Sequence, residues 1–150
     1  MSDNWIALIP EDPRFIPERE KQALARERFT EIAPQADEIG IEVYDAVTFF
    51  NCGANCERIL CPICSTEIPV TWWQDRMDED FENGFMLACY VIPCCGAQRT
   101  LHELVYEWPQ GFGRFAINAM NPNIGKLEDR YKQEFETILG TQLRVIYQHL

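Results

Sequence analysis

Apolar and polar positions change rhythm several times along the chain, and each change marks an element. Trp5 to Pro10 is a short apolar run closed by proline, which predicts a strand. From Pro17 to about Ala33 the rhythm is helical: Ala25, Phe29 and Ile32 share one face, and Glu18, Glu20, Lys21 and Arg28 stay polar. Acidic residues in that first turn complement the helix dipole. Between Ile41 and Phe50, Ile41, Val43, Val47 and Phe49 alternate with Glu42, Tyr44 and Thr48, a strand pattern that survives Asp45. Near the end, Leu127, Tyr131, Phe135, Ile138 and Leu139 mark one helix face, and Gly140 stands where a left-handed cap belongs. Leu143, Val145 and Tyr147 then alternate as a last strand.

The middle of the chain is less regular. Asn51 to Pro69 reads as loop. Thr71 to Phe81 predicts a short helix, with Thr71 and Gln74 spaced as a capping box and Trp73, Met77 and Phe81 on one side. Phe85 to Ile92, after Asn83-Gly84, is a near-continuous apolar run and predicts a strand. Thr100 to Trp108 and Gly113 to Met120 predict two more, joined by a turn at Pro109-Gln110-Gly111-Phe112. The order is β-α-β, an insertion, further strands and a closing β-α-β. It predicts an α+β fold, ferredoxin-like or a related antiparallel sheet with packed helices. The whole of 1–150 is read as one domain, with the insertion at about 51–99.

Composition supports a packed chain: 47% of residues are hydrophobic and 12% aromatic. The net charge of −11 repels phosphate backbones and anionic membranes, which argues against nucleic-acid and membrane partners. The stretch Met1-Ser2-Asp3-Asn4-Trp5-Ile6 lacks the basic and apolar regions of a secretory signal. Seven cysteines, an odd number with two adjacent, suit reduced thiols in a cytoplasm better than a disulfide framework.

Those cysteines carry the chemistry. Cys61-Pro62-Ile63-Cys64 is a tight loop that aims two sulfurs at one point, and Cys94-Cys95-Gly96 follows thirty residues after Cys64. Cys61, Cys64, Cys94 and Cys95 together predict a thiolate cage for zinc. Adjacent residues on an extended chain face opposite ways, so the second pair serves one ion only if the backbone turns at Cys95-Gly96. Without that turn, one of the pair would be the third ligand, and Cys52, Cys56 or His102 the fourth. Cys52 and Cys56 otherwise read as small side chains under a loop, and Cys89 as a buried residue of a strand.

The first knuckle resembles those of zinc-ribbon proteins, which commonly read Cys-Pro-x-Cys and Cys-x-x-Cys; the second departs in having its cysteines adjacent. The resemblance covers about a quarter of the chain and implies a zinc-ribbon-like metal module, not an activity. The whole chain also resembles small bacterial proteins of uncharacterised function, which implies no mechanism. Full thiolate ligation weakens zinc as a Lewis acid, and the chain has two histidines, so a closed structural site is expected over a catalytic one.

An enzyme remains the alternative, through thiol chemistry at Cys94 and Cys95 or a cysteine paired with His102. His102, alternating with Leu104, Tyr106 and Trp108, reads more simply as a packed core histidine. Glu103 with Glu107, and Asp78, Glu79 and Asp80, read as solvated faces. No phosphate-binding glycine loop or nucleophile elbow is present. Eighteen aromatics include Trp72-Trp73 and the run from Tyr106 to Phe115, with Trp108 and Phe112 flanking a turn as interface candidates. The expectation is a zinc-stiffened acidic protein that acts through protein contacts, in one version as an inhibitor or immunity-type partner of a basic protein.

Overall fold

The computed structural model describes residues 3–150, so Met1 and Ser2 of the N-terminal stretch lie outside it. The elements are β1 (Asn4–Pro10), α1 (Arg19–Ile32), β2 (Glu38–Phe50), β3 (Ile59–Leu60), α2 (Val70–Glu82), β4 (Tyr90–Val91), β5 (Gln98–Arg99), β6 (Val105–Tyr106), β7 (Gly111–Met120), α3 (Asp129–Leu139) and β8 (Leu143–His149). A 3-10 turn spans Leu101–Glu103. The fold is α+β, as the periodicity predicts.

The main sheet runs β2-β7-β1-β8 with every neighbouring pair antiparallel. Helix α1 follows β1 and α3 precedes β8, which is the split β-α-β order of the ferredoxin-like arrangement. Strand alternation sends Ile6, Leu8, Phe115, Ile117 and Ala119 to one face, where they meet Ala25, Phe29, Phe135 and Leu139. Phe29 and Phe135 join the two helices with ring centroids 5.2 Å apart. Gly140 caps α3 in the left-handed conformation, its N–H donating to the Glu136 carbonyl.

Between β2 and β7 the chain leaves the sheet and builds a second core from Ile59, Ile68, Leu87, Ile92, Leu101, Tyr106 and Phe112, with Trp72 and Trp73 packed against it. Phe112 is fully buried there, which removes it from the interface candidates. The sheet and the inserted segment are joined at Gly111, where Arg144 of β8 and His102 come together. A Cβ on Gly111 would stand 2.5 Å from Arg144 Nη1 and 2.9 Å from the His102 ring. Arg144 cannot swing clear, because it is held by Glu11 and by the carbonyls of Gln110 and His102.

The inserted segment departs from its predicted elements in ways that have local causes. Among the described residues, no side chain caps α2; Pro69 is the N-cap, so the Thr71 and Gln74 box does not form. Phe81 on that helix is 66% exposed instead of sharing the buried side of Trp73. Asp80, expected on a solvated face, is fully buried, and its carboxylate accepts hydrogen bonds from Leu87 N (3.1 Å), Ala88 N (3.2 Å) and Tyr90 Oη (3.2 Å). Those bonds bend the predicted Phe85–Ile92 strand into a loop with Phe85 and Leu87 at positive φ, leaving only Tyr90–Val91 extended. The predicted Thr100–Trp108 strand is broken in the same manner: Thr100 and Glu103 form a capping box around the 3-10 turn.

Candidate metal centre

The first cysteine pair lies in the loop after β3, closed by a bridge between Leu60 and Glu67, and the second lies at the tip of the β4–β5 ribbon. Ile59 and Leu60 lead into the first loop, where Cys61 N–H donates to the Thr66 carbonyl (2.9 Å) and Ser65 N–H to the Cys61 carbonyl (3.0 Å). β4 and β5 flank the second, where Ile92 N–H donates to the Ala97 carbonyl (2.8 Å) and Gly96 N–H to the Ile92 carbonyl (3.0 Å). Gly96 adopts φ 75°, the turn that adjacent cysteines need in order to face one point. Ile92 is fully buried in the second core, so the ribbon carrying Cys94 and Cys95 is anchored from below.

The sulfurs of Cys61, Cys64, Cys94 and Cys95 all lie within 4.8 Å of one another. Cys61 and Cys95 are 3.7 Å apart, and Cys64 and Cys94 are 3.3 Å apart. A tetrahedral ion with bonds of about 2.3 Å to sulfur requires edges of about 3.8 Å, so the cluster can hold a metal ion. Cys61 is buried, whereas Cys64, Cys94 and Cys95 are exposed.

The protein acts differently on each thiol. Backbone N–H groups of Cys64 and Ile63 aimed at its sulfur lower the pKa of Cys61. Thr66, through its side chain and its backbone, brings Cys64 down to about 6. Desolvation, reinforced by the neighbouring thiols, pushes Cys94 up to about 12. Four thiolates this close repel one another, and a bound dication is what removes that repulsion.

The remaining candidates are elsewhere. His102 is buried with both ring nitrogens engaged: Nε2 lies 2.8 Å from the Glu11 carbonyl, and Nδ1 accepts from Phe112 N at 3.0 Å. It is a core histidine, with no lone pair left for metal or for a cysteine. Cys89 is exposed, because the Asp80 loop replaces the strand that would have buried it. Cys52 and Cys56 form a disulfide, against the expectation that all seven thiols are reduced. Gln110 Oε1 accepts from Cys52 N and contacts both sulfurs. Glu107 pairs with Arg58 rather than standing alone on a solvated face.

Three cavities of about 480, 590 and 250 Å³ contain none of the four clustered cysteines. The second of them is lined by Trp108, a bulky residue at φ 64°, together with Trp5 and Tyr147. Two features escaped the sequence pattern altogether: the Asp80 carboxylate as a loop organiser, and the Cys52–Cys56 bond. A spacing of four residues is compatible with such a bond but does not announce it. No helix among the described residues is long and apolar enough to cross a membrane. Neither a protein-family model nor a curated protein or solved structure matches this chain.

Proposed function

We propose that the protein is a binding module whose inserted segment is held in shape by one structural zinc on Cys61, Cys64, Cys94 and Cys95, and which acts through contacts with another protein. The convergence of four sulfurs from two separate loops within 4.8 Å carries the zinc part of this reading. An all-sulfur donor set favours zinc over the hard cations, and full ligation suits support better than catalysis.

The contact part rests on surface chemistry. Seven of the eleven exposed large apolar side chains lie between residues 51 and 110, among them Phe81 and Met86, each 66% exposed. Such side chains on a folded surface mark interaction sites when they gather. With the net charge of −11, the partner that fits is basic, in the manner of an inhibitor or immunity protein. Free thiolates are needed for ligation, and five of the seven cysteines are unbonded, so a reducing cytoplasm is the compartment proposed, with the Cys52–Cys56 bond as the one feature that speaks against it.

Elemental analysis of freshly reduced protein should find one zinc per chain, and Cys61→Ser should lose it. A basic partner that co-purifies should be released by salt and by Phe81→Asp with Met86→Asp, while the metal stays. Metal-free protein of unchanged thermal stability would defeat the zinc reading. A partner that binds the double variant undiminished would defeat the assignment of the surface.

A further inference from the structure

The two cysteine loops are the same turn used twice, but their sulfurs do not occupy matching positions. In the first, the opening residue Cys61 donates its N–H to the residue five ahead and accepts from the residue four ahead. In the second, the residue that makes this pair of bonds is Ile92. The fourth-ahead residues, Ser65 and Gly96, share the left-handed conformation at φ 61° and 75°. Position by position, Cys-Pro-Ile-Cys-Ser-Thr from Cys61 therefore falls on Ile-Pro-Cys-Cys-Gly-Ala from Ile92. Cys95 matches Cys64. Cys94 matches Ile63, and buried Ile92 stands where the other loop has its first sulfur.

That match makes Cys94 unlike its neighbours. The position it occupies points outward in the first loop, where Ile63 is 54% exposed. Cys94 nevertheless reaches the cluster from there, and it is exposed. Cys61 Sγ accepts a backbone N–H from Ile63, and Cys64 Sγ has Thr66 Oγ1 at 3.2 Å. The sulfur contacts of Cys94 and Cys95 within hydrogen-bond range are other would-be ligands, Cys64 at 3.3 Å and Cys61 at 3.7 Å; Cys95 differs from Cys94 in holding the regular ligand position that Cys64 holds in the first loop. A thiolate with no amide donor and an open approach is held to its ion less firmly than one cradled by N–H groups.

From this geometry we propose that Cys94 is the exchangeable ligand of the centre, the position at which an incoming small thiol or chelator gains access to the metal. This rests on the zinc reading above and changes its character, from a closed staple to a centre with one opening edge. In the exchange the metal–Sγ bond of Cys94 breaks and a metal–sulfur bond to the incoming thiolate forms. Cys94 takes up the proton that the incoming thiol releases, so nothing is oxidised or reduced. Cys61, Cys64 and Cys95 keep the ion and the two loops together throughout.

The test is transfer of zinc from the loaded full-length chain to a chromophoric pyridylazo chelator, with alkylation by iodoacetamide mapped by mass spectrometry. Cys94→Ser should keep one zinc per chain and release it about tenfold faster than wild type, whereas Cys64→Ser should not hold zinc. The double variant Ile92→Cys with Cys94→Ile restores the regular spacing and should release zinc about tenfold more slowly than wild type. In unmodified loaded protein, where no variant has to fold, Cys94 should be alkylated before Cys61, Cys64 and Cys95. Loss of zinc from Cys94→Ser equal to that from Cys64→Ser, or alkylation of Cys95 ahead of Cys94, would overturn the inference and leave the zinc site standing. Wild-type protein that takes up no zinc would overturn both together.

Discussion

Both ring nitrogens of His102 are committed, and that commitment has a consequence in acid. Nδ1 accepts the Phe112 N–H, so Nε2 carries the proton and donates it to the Glu11 carbonyl. A second proton would set one N–H against another. Burial, with the Arg144 charge beside it, accordingly lowers the pKa of His102 to about 4. The unfolded chain takes up that proton near pH 6.5 and the folded one does not. Stability from this group is thus fully present above pH 6.5 and is lost as pH falls from there to about 4. The loss should reach roughly 3 kcal/mol. Denaturant titrations at pH 7 and pH 4.5 should show the decrease, and His102→Gln should flatten it; a wild-type stability unchanged over this range would contradict the assignment.

Asp80 is the other residue on which a large structure depends. Its carboxylate satisfies two backbone N–H groups and the Tyr90 hydroxyl in a fully buried position. Desolvation together with this neighbouring charge raises the Tyr90 pKa to about 12. Asp80→Ala should destabilise the protein by about 3 kcal/mol, since buried donors are left unpaired. Chemical denaturation measures it, and a loss below about 1 kcal/mol would mean that water replaces the carboxylate.

At the scale of elements, what the sequence shows depends on who supplies the partner. β1, α1, α3 and β8 are legible because their alternation and helical spacing point apolar side chains at one shared core. β2 is legible at both ends, with a register shift between Val43 and Thr48 where Asp45 interrupts the alternation. The Phe85–Ile92 run is misleading because its apolar content is genuine while its backbone answers to Asp80, seven residues before Leu87. Hydrophobic periodicity carries no signal for a carboxylate that acts at that distance. The Cys61 knuckle is legible because its spacing alone sets its geometry. The second loop is harder to read, since its turn begins at an isoleucine.

The Cys52–Cys56 bond belongs to this scale too, because it closes the exit of β2 into the inserted segment. A ring of about five residues removes little chain entropy, so Cys56→Ser should cost at most about 2 kcal/mol. Thermal unfolding of this variant should shift modestly with the metal retained. Loss of the metal on this change would show that the two cysteine systems are coupled.

For the whole molecule, a sheet core and a core of the inserted segment, linked through the polar contacts of Arg144 with Gln110 and His102, imply unequal dependence on metal. The four-stranded sheet has its own core with the helices, and the inserted segment relies on short ribbons and the cysteine cluster. Removal of metal by a chelator should therefore strip hydrogen-exchange protection from residues 59–106 first, with β1, β7 and β8 still protected. Uniform loss across the chain would mean that the cores fold as one unit. The acidic surface, at net charge −11, should make any partner's association rate fall steeply with ionic strength.

The central claim is that sulfurs from two loops share one zinc. X-ray absorption fine structure at the zinc edge, on reduced and loaded full-length protein, tests it without a variant. Four sulfur scatterers at about 2.3 Å are predicted. A first shell dominated by nitrogen or oxygen at about 2.0–2.1 Å would contradict it.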